Sequence, residues 1–300
     1  MAGIHLSPAR SKELFANRGR LLDHLATQLN EGRLALVLGA GVSHGFNLPN
    51  WDVLVDRCLA QCGLVRTPGR TNEALSDDIF VHCCKNDHLA LARLVHCALY
   101  ETADLRVQTL RSNPLLAALG ALATMSRKGA GARIVSFNYD DLLELFLRQN
   151  GIITRSVEAA PFWSSNDDIS VLHPHGLLRS GETPEQVTSR VVFSRLSFDE
   201  DDWRENWEAL FLDYLGASIC LFVGLSGDDA HLCASLLRVH HRHAMRGAFV
   251  FWGTRFGTQE SERELWENNF GVSQWTLADY ADLPAFLFEL CELAQQQLSE

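Results

Sequence analysis

The residues of this 300-residue chain that could do chemistry fall into a few short clusters. Gly39-Ala40-Gly41-Val42-Ser43 directly follows the apolar run Leu34–Leu38. Glycines at such a turn let backbone N–H groups approach a pyrophosphate, although a GxG alone is equally a tight strand-to-helix turn. Ser136-Phe137-Asn138-Tyr139-Asp140-Asp141 supplies an amide and two carboxylates. Asn138 can hold a water or a sugar hydroxyl, and Asp140 can bind a hydroxyl or polarise a neighbour. Either can instead cap the helix that Leu142, Leu143, Phe146 and Leu147 announce, a task open to Asp141 as well. His173-Pro174-His175-Gly176 offers two imidazoles, which titrate near neutrality and can take a proton. Gly224-Leu225-Ser226-Gly227-Asp228-Asp229 and Gly253-Thr254 complete the set.

These clusters stand at the ends of apolar runs, at Leu34–Leu38, Arg133–Phe137, Ile219–Gly224 and Ala248–Trp252. Continuous apolar strands separated by helical stretches predict an α/β fold, a Rossmann-like parallel sheet with helices on both faces. In such a sheet the carboxyl ends of the strands form the ligand crevice, so clusters far apart in sequence converge there. The dinucleotide fingerprint is incomplete. His44 stands where a third glycine belongs, with Gly45 next, and the amphipathic stretch Trp51–Cys62 replaces the second strand and its acidic end. An ordinary nicotinamide dehydrogenase is disfavoured. The 3.6-residue rhythm of Trp51, Leu54, Val55, Cys58, Leu59 and Cys62, and of Leu89, Leu91, Leu94, Val95 and Leu99, predicts a helical insertion over about 51–128. One domain over 1–300 follows, its core about 20–50 and 129–295. The segment Arg179–Arg190 reads as an exposed excursion.

The 37 acidic residues outnumber 26 basic ones, and the net charge of −11 has the wrong sign for nucleic acid or an anionic membrane. Direct nucleic-acid binding is not expected. Eight scattered cysteines without a CxxC pair indicate neither a disulfide framework nor a zinc site, so no metal is expected. Met1–Arg20 has no apolar h-region, and no stretch reaches the roughly 18–20 apolar residues of a membrane span. A soluble, reducing, cytoplasmic setting is expected. Arg238–His243 reads as a solvated or subunit-facing helix end, and Asp199–Asp202 as a helix N-terminal turn. Trp203, Trp207, Phe211 and Tyr214 read as core or an oligomer contact.

The order of these motifs resembles the sirtuin family, and more closely the SIR2-like NAD-consuming proteins of bacterial antiphage defence. The matching pieces are Gly39–Ser43 with Leu48-Pro49-Asn50-Trp51, then Ser136–Asp140, His175-Gly176 and Phe222-Val223-Gly224-Leu225-Ser226. Deacylating sirtuins carry Asp-Phe-Arg where this chain has Asn50-Trp51-Asp52. Their four-cysteine zinc module lies where this chain has only Cys220. The resemblance therefore implies that NAD is itself the substrate, cleaved to nicotinamide and ADP-ribose. It implies His175 as the catalytic base, with His173 as rival, and Asn138 with Asp140 on the nicotinamide-ribose side. Gly39, Ala40, Gly41 and Ser43 would meet the phosphates or the nicotinamide end, and Gly224 with Ser226 the adenosine portion. Thr254 is a candidate for the adenosine ribose. Asn50 would either replace the missing arginine's contacts or cap the Trp51 helix. A homo-oligomer, and an activating partner such as a defence ATPase or an Argonaute-type protein, are expected by the same analogy. The alternatives are an NAD-dependent deacylase or ADP-ribosyltransferase, and a non-catalytic module that binds NAD or an ADP-ribose derivative.

Overall fold

Leu34-Ala35-Leu36-Val37-Leu38 is apolar at every position because both of its faces are covered. The computed structural model makes it β1, buried along its whole length. The structure describes residues 8–125, 133–159, 169–198, 207–225, 230–243, 250–253, 260–275, 277 and 279–299. The other strands are β2 (Arg133–Ser136), β3 (Thr154–Val157), β4 (Ile169–Leu172), β5 (Ile219–Val223), β6 (Val250–Gly253) and β7 (Val272–Trp275). They form one seven-stranded sheet in the order β3-β4-β2-β1-β5-β6-β7, every pairing parallel. The predicted α/β class and the four apolar strands are present. β3, β4 and β7 were not anticipated.

Side chains of β1 alternate between two cores, as a period of two requires. Leu34, Leu36 and Leu38 pack with the helices Arg18–Asn30, Pro114–Met125 and Leu283–Ser299. Ala35 and Val37 face Trp207, Phe211, Leu232 and Leu236 on the opposite side. Trp207 and Phe211 are thus core residues, while Trp203 and the acidic run Asp199–Asp202 lie outside the described residues. Arg238, on the helix Ala230–His243, pairs with Glu208.

The stretch from Trp51 to Met125 is helical, as its rhythm predicts, and includes a π-helical turn at Ile79–Cys83. It packs on the segment after β4. Tyr100 Oη donates to the Leu178 carbonyl (2.7 Å), His96 Nε2 lies 3.1 Å from the Arg179 carbonyl, and Trp51 meets Phe193 edge-on at 4.9 Å. The expected excursion at 179–190 is therefore tied down in part. Val187 is fully buried, and Arg179 donates to Glu158 at 2.6 Å.

Among the described residues no helix is long and apolar enough to cross a membrane, and no group of three or more His, Cys, Asp or Glu is arranged to hold a metal ion. All eight cysteines are free thiols.

Candidate functional site

β1 and β5 flank the point where the chain changes direction across the sheet, the position at which an open α/β sheet forms its crevice. The turns after these two strands meet there, backbone to backbone. Gly39 N–H donates to the Val223 carbonyl and Gly41 N–H to the Gly224 carbonyl, both at 2.9 Å. A Cβ on Gly41 would lie 2.7 Å from Gly224 Cα, and one on Gly39 would lie 2.7 Å from the Gly224 oxygen. Gly224 itself has φ +72°, and its Cβ would strike Val42 N at 2.6 Å. Val42 and Ser43 N–H groups bond back to Gly39 and Ala40 carbonyls. The expected cradle of free N–H groups is thus corrected: those of Gly39, Gly41, Val42 and Ser43 are spent inside the protein. The missing side chains make room for Gly224, and Ala40 is the exposed point of the turn.

One polar network spans the ends of β1 and β2. Asn138 Nδ2 donates to the Gly39 carbonyl (3.0 Å) and to Ser43 Oγ (3.2 Å), and Ser43 Oγ donates to Asp140 Oδ2 (2.7 Å). Asp140 Oδ1 accepts from Leu142 N–H at 3.2 Å, so Asp140 caps the following helix and anchors Ser43 at once. Asp141, the other candidate cap, makes no cap bond. Its Oδ1 instead accepts the Ser180 N–H at 3.1 Å. Burial pushes the Asp140 carboxyl up to about 6, against the lowering effect of its bonds to Ser43 and Leu142.

The two histidines separate cleanly. His173 is fully buried, its Nε2 2.8 Å from Glu144 Oε1 and its Nδ1 3.3 Å from the Asn138 carbonyl. Ser156 Oγ donates to the same Glu144 oxygen at 2.8 Å. Burial disfavours charge on both partners, yet their mutual attraction and hydrogen bond win. Net, His173 is raised and Glu144 lowered from their ordinary values. A histidine so enclosed cannot meet a substrate.

His175, two residues on, lines a cavity of about 250 Å³ with Glu158, Gly176, Arg190, Phe198, Trp207 and the insertion's His88. Its ring stands edge-on to Phe137 at 4.9 Å, and its carbonyl accepts the Val192 N–H at 2.9 Å. Gly176 is required here: its φ is +88°, and a Cβ would fall 2.0 Å from the Arg190 carbonyl. A second cavity of about 410 Å³, between Asn86–Leu89 and Thr188–Arg190, shares His88 and Arg190 with the first.

The structure thus brings together Gly39, Gly41, Ser43, Asn138, Asp140 and Gly224, while His175 lines a cavity whose walls include none of these six. Asn50 is the N-cap of the helix Trp51–Gln61, its Oδ1 accepting the Val53 N–H at 3.0 Å. That exposed cap geometry favours the structural alternative for Asn50. Ser226 and Thr254 lie outside the described residues. Sequence reasoning missed Glu144, Glu158, Arg190 and His88. Glu144 carried one signal, a lone acid inside the apolar helix Leu142–Gln149.

Residues 132–272, just under half of the chain, match the family model of the SIR2-like domain. No curated protein matches the chain. This similarity is consistent with a SIR2-like family and supports an NAD-related function.

Proposed function

We propose, from the premise that residues 132–272 are a SIR2-like domain, that the protein hydrolyses NAD at its nicotinamide–ribose bond. The carrying observation is the contrast between the histidines: His173 is sealed in an ion pair, whereas His175 lines a cavity and stands edge-on to Phe137, the sequence neighbour of Asn138. Water attacks the anomeric carbon, the C–N electron pair leaves with neutral nicotinamide, and ADP-ribose and a proton result. His175 takes that proton, and general-base catalysis is worth roughly 10²–10⁴ in rate. In this reading Asn138 and Asp140 fix the ribose side and Ser43, with Gly39, Ala40 and Gly41, borders the phosphates. Gly224, with Ser226 and Thr254, receives the adenosine part. The 250 Å³ cavity falls just below the roughly 300–1,000 Å³ of ordinary ligand pockets and suits one end of a dinucleotide.

The biological reading is an effector that drains NAD during phage infection. Self-assembly, or a partner such as a defence ATPase or an Argonaute-type protein, would switch it on. Its support is family analogy. The test is nicotinamide release from NAD by purified protein, with and without the products of neighbouring genes. Wild type should release nicotinamide and His175→Ala should lose at least about 10²-fold. Absence of release under every assembled condition sinks the proposal.

A further inference from the structure

Both nitrogens of the His173 ring face acceptors. Nε2 meets the Glu144 carboxylate, and Nδ1 meets the Asn138 carbonyl, which has no proton to give. Neutral imidazole carries one N–H and can satisfy one of them; imidazolium satisfies both. Glu144 is kept an acceptor by Ser156 Oγ, which donates to the same oxygen. The pair joins three elements: His173 after β4, Glu144 on the helix that follows the Asn138 turn, and Ser156 on β3. Both side chains are buried, and neither lines either of the two cavities described above. A buried ion pair is weak evidence for stability, since apolar residues of similar volume often do as well. Its contact with the backbone of Asn138, whose side chain ties Gly39 to Ser43, suggests another use.

We infer that the Glu144–His173 pair is a positioning device, in which a permanently protonated His173 grips the Asn138 carbonyl and so aims the Asn138 amide at the Gly39–Ser43 turn. The charged groups around it are few. Glu144 and Asp140 both favour the cation. Asp141 and Tyr100 bear on those carboxylates, and Arg148 pairs with Asp141 at 3.3 Å. Deprotonation would free one ring nitrogen and release either Glu144 or Asn138.

The first arm of the test does not depend on the proposed activity. In ¹⁵N-histidine-labelled wild type, His173 should show two protonated ring nitrogens from about pH 6 to above the ordinary histidine midpoint of about 6.5. A neutral tautomer at about pH 7 would overturn the inference while leaving the NAD reading untouched. The second arm rests on that reading and measures nicotinamide release against pH for Glu144→Gln and Ser156→Ala. Glu144→Gln keeps the shape and the acceptor but removes the charge, so His173, still buried, should turn neutral at or below its ordinary midpoint. Its kcat should then fall through that range, by up to about 10²-fold for a misaimed group, with KM little changed. Ser156→Ala removes a hydrogen bond from the same cluster without removing the charge, and its pH profile should follow wild type. Equal losses with unshifted profiles in both variants would mark the pair as packing only and overturn the inference. A wild type that releases no nicotinamide refutes the parent reading and leaves the first arm to decide this one.

Discussion

Asp140→Asn should remove a pH effect whose sign is opposite to that of a salt-bridged carboxylate. The native carboxyl titrates at about 6 against an ordinary 3.8, chiefly because it is buried, so the folded state holds its proton more tightly than the unfolded chain does. The carboxyl's own contribution therefore strengthens the fold as pH falls through 6 toward 3.8, the reverse of a salt-bridged carboxylate. Linkage gives its size. At about pH 7.5 the contribution is close to zero, and at about pH 5 it is about 1.4 kcal/mol in favour of the fold. Asn carries no such proton, so the stability difference between wild type and Asp140→Asn should move by about 1.4 kcal/mol over that interval. Lost hydrogen bonds to Ser43 or Leu142 shift that difference by a constant and do not alter its slope. Urea unfolding of both proteins at the two pH values reads it directly. Parallel curves, with the difference changing by less than about 0.3 kcal/mol, would refute the claim that burial governs this carboxyl.

Two further outcomes follow from the same geometry. Gly176→Ala should cost about 3 kcal/mol or more in urea unfolding, because a positive φ is combined with a backbone collision at 2.0 Å. Gly151→Ala shares the positive φ of +76° with nothing within 4 Å of its Cβ, and should cost only about 1–2 kcal/mol. Equal losses would mean that the Arg190 carbonyl simply moves aside. Arg190 is exposed, lines both cavities, and among the described residues has no ion-pair partner. Arg190→Gln should raise KM for NAD by about tenfold with little change in kcat, the worth of one charge-assisted bond to the bound dinucleotide. An unchanged KM would place NAD out of reach of Arg190.

The parts of the fold legible in the sequence are those where burial is uniform. β1 and β5 are apolar at every position because neighbouring strands and helices enclose them, and the runs Leu34–Leu38 and Ile219–Val223 announce it. β3 and β7 lie at the two edges of the sheet, where one side needs no apolar cover. Thr154-Arg155-Ser156-Val157 and Val272-Ser273-Gln274-Trp275 therefore carry no run to notice. β4 is internal, but it is four residues long with Ser170 in its middle. The insertion's helices are plain from their rhythm. Its position against Leu178, Arg179 and Phe193 depends on contacts across scores of residues, which no local period encodes.

The site shows the same division at the level of single groups. Type and spacing offer two histidines, and only the resemblance prefers His175 to His173; His175 is the one that lines a cavity. What excludes His173 is Glu144, 29 residues earlier in the chain, and only the packing of a helix against β3 and β4 brings the two together. The glycine turn carries the harder lesson. Absence of a Cβ is the same signal whether the space is reserved for a phosphate or for another stretch of backbone, and here Gly224 takes it. In the proposed NAD site the turn would therefore act through what it fixes in place, the Gly39 carbonyl and Ser43 Oγ that Asn138 bridges, more than through donors of its own.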